Sequence, residues 1–162
     1  MTSPPIFGGA SLASFIDHTP QARALGMQLI SLDKSGAVLS IPYREDLIGD
    51  PDTGVIAGGV VTTLLDHACG QSVFAALGVP TSIATLDLRI DYMRGAEPGL
   101  AVFAHAHCYK LTHSIAFVRA TAYDRDAADP LATAQAAFML SANSTVPSLD
   151  LPPSGAGAGA GA

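Results

Sequence analysis

Hydrophobic and polar positions alternate in two distinct rhythms along this chain. From Gly54 to Leu77 the apolar residues Val60, Val61, Leu64, Leu65, Ala68, Cys69, Val73, Ala76 and Leu77 recur in pairs about every four positions. That spacing predicts one amphipathic helix over Ala57 to Leu77, about 30 Å long at ~1.5 Å per residue. Elsewhere the rhythm is two. Met27–Leu32 and Ala37–Ile41 read as a hairpin turning at Lys34, Ser35 and Gly36. Three longer strands follow over 100–109, 115–124 and 131–140, after a first at 83–93. In that first strand, alternation sets Ala84, Leu86, Leu88, Ile90 and Tyr92 on one face and Thr85, Asp87, Arg89 and Asp91 on the other. Leu131–Leu140 is rich in alanine, so a helix competes with a strand there.

The later strands each carry a face of small residues: Val102, Ala104, Ala106 and Cys108, then Ala116, Val118, Ala120 and Ala122, then Ala132, Ala134 and Ala136. Such a face lets a helix lie close to a sheet, and the long helix is its natural occupant. The expected class is α+β, with one long central helix wrapped by a curved antiparallel sheet. Residues 1–25 are expected to be an N-terminal segment with short helical turns broken at Pro20, residues 26–142 the folded domain, and residues 143–162 a disordered low-complexity tail. The stretch 43–53 is expected to be a polar loop with strong turn chemistry at Asp-Pro-Asp-Thr-Gly.

Composition narrows the partners. Eight basic against fourteen acidic residues give a net charge of −6, which argues against a general nucleic-acid binder and against an anionic membrane surface. Apolar residues make up 49% and charged ones 14%, so some apolar surface is expected to be covered by another subunit. The two cysteines, Cys69 and Cys108, lie in apolar patterns without metal-ligand spacing and read as buried free thiols of a reducing compartment. With no basic leader and no clear membrane span read from the sequence, a cytoplasmic location is expected.

The chemistry concentrates on the long helix. Asp66 interrupts an apolar pattern two turns in, where a carboxylate must be paired, exposed or used. Gly59 precedes it by seven residues, on nearly the same face and about 10 Å away. Gly58 and Gly59 lack a Cβ, so a ligand oxygen can approach the free N–H groups of the helix start. A donor pair and a carboxylate on one line form a minimal layout for polarising a carbonyl and activating water. His67 is next to Asp66 in sequence, but consecutive helix residues point about 100° apart. His105 and His107 share a strand face without an evident third ligand, so no metal site is expected. Ser72 and Ser114 lack the turn that exposes a nucleophilic serine.

Ala57-Gly58-Gly59, then Leu65-Asp66, then the run Leu86-Asp87-Leu88-Arg89-Ile90-Asp91-Tyr92-Met93-Arg94 together resemble the hotdog-fold acyl-CoA thioesterases, more narrowly the PaaI-like group. The resemblance covers roughly residues 26–141. It implies a dimer or a tetramer with sites at the subunit interface, an acyl-CoA substrate and no separate cofactor, coenzyme A being part of the substrate. It implies that a glycine N–H at Gly58 or Gly59 binds the thioester carbonyl, that Asp66 of the other subunit activates water or attacks, and that Thr85 assists. Lys110 and His113, with Arg94 and Arg119, are its candidates for the coenzyme A phosphates. Many relatives carry His or Gln where this chain has Ala57, and an Asn where Pro51 stands. A non-catalytic acyl-CoA binding protein and an enoyl-CoA hydratase or dehydratase are the alternative readings.

Overall fold

The computed structural model describes residues 19–78 and 81–140, together with the backbone of two short strands, β1 (Ile6–Phe7) and β2 (Ala10–Ser11). Apart from these two strands, the expectations for residues 1–18 and for the tail at 143–162 lie outside the described residues. Helix α1 spans Pro20–Ala24. Pro20 therefore starts a helix where the sequence reading has it break one. Proline suits the first turn, whose N–H groups have no helical partner.

Strands β3 (Gln28–Asp33) and β4 (Gly36–Ile41) form the expected hairpin. The polar loop that follows is more ordered than its composition suggests. It holds a 3-10 turn at Glu45–Leu47 and a small hairpin of β5 (Ile48–Asp50) and β6 (Val55–Ile56). The Asp50 carboxylate accepts the Asp52 N–H at 3.1 Å and the Thr53 hydroxyl at 2.7 Å, which closes the Asp-Pro-Asp-Thr-Gly turn. Gly49 packs against the next element so closely that a Cβ there would come within 2.6 Å of Ala57 Cα. This hairpin thus anchors the start of helix α2 (Gly58–Leu77), and Gly78 ends the helix in the left-handed conformation.

Strands β7 (Ile83–Tyr92), β8 (Val102–Leu111), β9 (Ile115–Tyr123) and β10 (Ala132–Leu140) complete a six-stranded antiparallel sheet of order β3-β4-β8-β9-β10-β7. The alanine-rich segment is a strand because it sits between β9 and β7 with every helix-facing position small or apolar; packing overrides alanine's helix preference. β8 runs to Leu111, two residues past the strand end expected at 109, so the turn to β9 is Thr112–Ser114. Helix α2 lies on the small face, mainly over β8, β4 and β9. Leu64, Leu65, Ala68, Cys69 and Val73 of the helix and Ala104, Ala116, Val118, Ala122 and Ala132 of the sheet are fully buried in one core. By length and composition α2, at 20 residues and mean hydropathy 1.2, would suffice to cross a membrane, contrary to the sequence reading. Its packing inside the sheet makes it a core helix here.

Strict alternation fails in β7, and the failure matters. Ala132, Ala134 and Ala136 face Tyr92, Ile90 and Leu88, but Phe138 faces Thr85 and Leu140 faces Ile83. The register slips by one residue at Leu86. Thr85 therefore shares the helix-facing side with Leu88 and Ile90, which corrects the face assigned by period alone. Leu86, the surplus residue, is left 53% exposed. Equivalent slips surround Ile30 in β3 and Tyr109 in β8, both also exposed.

Candidate active site

Two stripes run along α2. One is the buried apolar stripe. The other, turned toward β7, carries Gly58, Gly59, Thr62, Thr63, Asp66 and His67, all exposed or half-buried. β7 runs antiparallel to the helix over this stripe, so its two ends meet different helix positions. Tyr92 meets the helix start, and Thr85 meets Asp66.

At the Asp66 end, the Thr85 hydroxyl donates to Asp66 Oδ1 at 3.0 Å. The pair opens on a cleft of about 220 Å³ lined also by His67, Gly70, Gln71, Phe74, Ile83 and Phe138. Burial pushes the His67 pKa below its usual value, against the pull of the Asp66 charge. Gln71 is 5% exposed, and its Oε1 has no hydrogen-bond partner among the described residues, which leaves a buried acceptor in the cleft wall. Sequence reasoning passed over Gln71. Its only signal there is a polar amide five residues after Asp66 within an apolar run. Cys69 is no rival nucleophile: burial first, then the Asp66 charge, pushes its thiol up to about 12.

At the other end, α2 begins without a side-chain cap. Ala57 stands at the N-cap position and offers no acceptor. Val60 N–H turns back to Ala57 O at 2.9 Å, while the N–H groups of Gly58 and Gly59 have no acceptor among the described residues. A Cβ built on Gly59 meets nothing within 4 Å, so these donors are open to a ligand. Tyr92, which the sequence reading counts only as a strand residue, closes over this turn. Its hydroxyl donates to Gly58 O at 2.8 Å and lies 2.7 Å from the Thr62 hydroxyl. Beside it lies a largely apolar cleft of about 380 Å³, walled by Val55, Ile56, Val61, Met93, Ala96 and Leu131 among others.

The basic candidates scatter. Arg94 is committed to the fold: it makes a two-pronged ion pair with Asp124, at 2.7 and 2.9 Å, and also reaches Asp129. The Asp124 side chain is 1% exposed, and Arg94 holds its carboxyl well below the usual range. Arg94 thus ties the ends of β7 and β9 together, its guanidinium engaged by two carboxylates. Arg119 lies on the outer sheet face with its guanidinium 4.7 Å from the Tyr109 ring centre. Lys110, opposite Phe117, is exposed on that same outer face. His113 sits in the β8–β9 turn, its Nδ1 3.1 Å from Ser114 Oγ, on a cleft of about 420 Å³ that shares Ile83 with the Asp66 cleft. His107 approaches Ser35 O at 3.0 Å, and among the described residues no cluster of three metal-ligating side chains forms.

Known proteins share this architecture. A solved Pseudomonas aeruginosa protein is 39% identical, with a TM-score of 0.73 over 78% of this chain and 94% of its own. A second solved protein, described as from the thioesterase superfamily, is 30% identical, with a TM-score of 0.71 over 78% of this chain and 93% of its own. The thioesterase superfamily profile matches residues 53–130. The chain belongs to the thioesterase superfamily. In this superfamily member the profile begins within the β5–β6 turn and covers β6, all of α2, and β7 to β9, so it includes Gly58, Gly59, Asp66 and Thr85. The Escherichia coli medium/long-chain acyl-CoA thioesterase is 32% identical over 93 residues, 49% of this chain and 60% of that protein. The matched segments span about 60% of the length of the curated relatives this thioesterase-superfamily chain first matches.

Proposed function

We propose that this protein hydrolyses acyl-CoA thioesters carrying a medium-chain or aromatic acyl group. The observation that carries the reading is the Asp66–Thr85 pair on the same helix stripe as an uncapped Gly58–Gly59 start. The glycine N–H groups polarise the thioester carbonyl and stabilise the oxyanion that forms on it. The Asp66 carboxylate takes a proton from the attacking water, or attacks the carbonyl itself, and the Thr85 hydroxyl holds one of its oxygens in place. In the first route water adds to the carbonyl, the coenzyme A thiolate leaves and takes up the proton held by Asp66, and the acid is released. In the second the thiolate leaves first and water then hydrolyses the acyl–Asp66 anhydride to the acid, supplying the thiol proton.

The reading requires two chains at each site. Gly59 and Asp66 are about 10 Å apart along one helix, and the Gly59 N–H points away from Asp66, out of the helix start. A carbonyl held at that N–H is beyond the ~3–3.5 Å attack distance of an Asp66-bound water on the same chain. Juxtaposing two antiparallel copies brings Gly59 of one protomer to Asp66 of its partner, and does so twice by symmetry. β7 supports this arrangement: it is an outermost strand of the sheet, ten residues long and largely exposed. Lys110 and His113, with Arg119 on the same outer face as Lys110 and Arg94 beside Asp124, are the candidates for the phosphates of coenzyme A.

Free-thiol release from acetyl-, hexanoyl-, dodecanoyl-, benzoyl- and phenylacetyl-CoA tests the activity, and sedimentation at micromolar concentration tests the assembly. The expected result is turnover of at least one longer or aromatic ester by a dimer or tetramer. Binding of these esters without turnover would replace the enzyme with an acyl-CoA binding protein. A strictly monomeric yet active protein would overturn the shared site.

A further inference from the structure

We propose that Tyr92 and Thr62 are positioning residues for the oxyanion donor, acting through the peptide unit between Gly58 and Gly59. The inference rests on the thioesterase reading above. The Tyr92 hydroxyl donates to Gly58 O at 2.8 Å, the Thr62 hydroxyl lies 3.1 Å from the same oxygen, and the two hydroxyls are 2.7 Å apart. Each hydroxyl has one proton. Whichever way the pair is arranged, one proton serves the Gly58 carbonyl and the other links the two hydroxyls.

That carbonyl belongs to the same planar amide as the Gly59 N–H. The two bonds point in opposite directions, the carbonyl along the helix and the N–H out of its start. Fixing the carbonyl therefore fixes the direction of the N–H. A hydrogen bond on the oxygen also draws charge across the amide and makes the N–H a stronger donor. The position needs such a brace. Two successive glycines begin the helix, no side chain caps it, and the space over Gly59 is open; the β5–β6 hairpin holds Ala57, one residue earlier, but no side chain on that side reaches the Gly58–Gly59 peptide. Tyr92 reaches across from β7, the strand that also supplies Thr85 to Asp66. One strand thus sets both halves of the site, the donor at one end and the carboxylate at the other.

The test is a cycle of Tyr92→Phe, Thr62→Val and the double variant, with Thr62→Ser as the conservative control. Phe keeps the ring that walls the 380 Å³ cleft and removes only the hydroxyl. Losing an oxyanion donor outright costs ~10²–10³ in rate, so losing its brace should cost less: about tenfold in kcat for Tyr92→Phe. The double variant should fall further, to about thirtyfold, because Thr62 can partly replace Tyr92 in the single variant. KM should stay within about twofold, Thr62→Ser should keep parental rates, and the Gly59 amide proton resonance should move to higher field in Tyr92→Phe. Parental kcat in the folded double variant overturns the proposal, as does a loss confined to KM, which would make Tyr92 a cleft wall only. The resonance separates the two layers: if the parent turns over no thioester but the Gly59 signal still moves, the brace stands and the hydrolase reading falls.

Discussion

Thr85 holds the Asp66 carboxylate across 3.0 Å from a strand position that simple alternation turns away from the helix. The one-residue slip at Leu86 reverses the alternation for Ile83 to Thr85 and brings the hydroxyl inward. Register slips at functional positions re-aim a side chain at the cost of a local break in the ladder. Here the residue displaced is Leu86, whose exposure is otherwise unfavourable for so apolar a side chain.

Asp66→Asn should lower kcat by at least about two decades while acyl-CoA binding persists, since general-base catalysis is worth ~10²–10⁴. Thr85→Val, which keeps shape and removes the donor, should cost about tenfold, because it releases one carboxylate oxygen and leaves the base in place. Single-turnover kinetics on purified, folded variants checks both. Parental rates in Asp66→Asn would remove the carboxylate from the mechanism.

Gly59→Val is expected to fold normally, because a Cβ at Gly59 meets nothing within 4 Å. Its branched side chain would nevertheless cover the donor, so kcat should fall by ~10²–10³ with little change in melting temperature. Thermal unfolding beside the rate measurement makes the distinction: a variant that loses rate only by unfolding would assign Gly59 to structure.

Ala57→Asp should trade activity for stability. The position is an N-cap without an acceptor, and a new carboxylate there would accept the free glycine N–H and complement the helix dipole. Supplying a cap should raise stability by about 1 kcal/mol, readable as a shift of the urea midpoint at unchanged m-value. The same bond would occupy the oxyanion donor, so kcat should drop. A variant both more stable and equally active would show that these N–H groups do not serve the reaction.

Arg94 and Asp124 predict an acid limit to stability. The Asp124 carboxyl is held below its ordinary value of 3.8, first by its hydrogen bonds from Arg94. A depressed carboxyl contributes stability that is present in full above the unfolded-state pKa and is lost as pH falls through the folded one. Stability should therefore decline from about pH 4 downward through this pair. Arg94→Met leaves the Asp124 carboxylate with only the backbone donors of Glu97 and Arg125 and should lower stability at neutral pH. It should also flatten the acid limb, because the folded and unfolded pKa values then approach each other. Denaturant titrations from pH 7 to pH 2.5 would show either change, and an unaltered acid limb would assign it to other carboxylates.

Much of this architecture is legible from local pattern. A period near four with no proline and a glycine at its end determines α2, and period two with small residues on one face determines that a sheet wraps it. The glycine pair and Asp66 announce themselves because each violates the apolar helix around it. Tertiary structure alone decided four further points. The slip at Leu86 depends on pairing between β7 and β10, so Thr85 could be aligned with Asp66 only once Phe138 was its neighbour. Alanine-rich β10 could be a strand only between two partners. Arg94 reads as a free cation until Asp124, thirty residues on, is folded against it. Tyr92, spaced as an ordinary strand residue, becomes part of the site because the strand runs antiparallel to the helix and ends over Gly58. Periodicity records which way a side chain points along its own element; which group it meets there is set by register and crossing, and those are fixed by contacts distant in the chain.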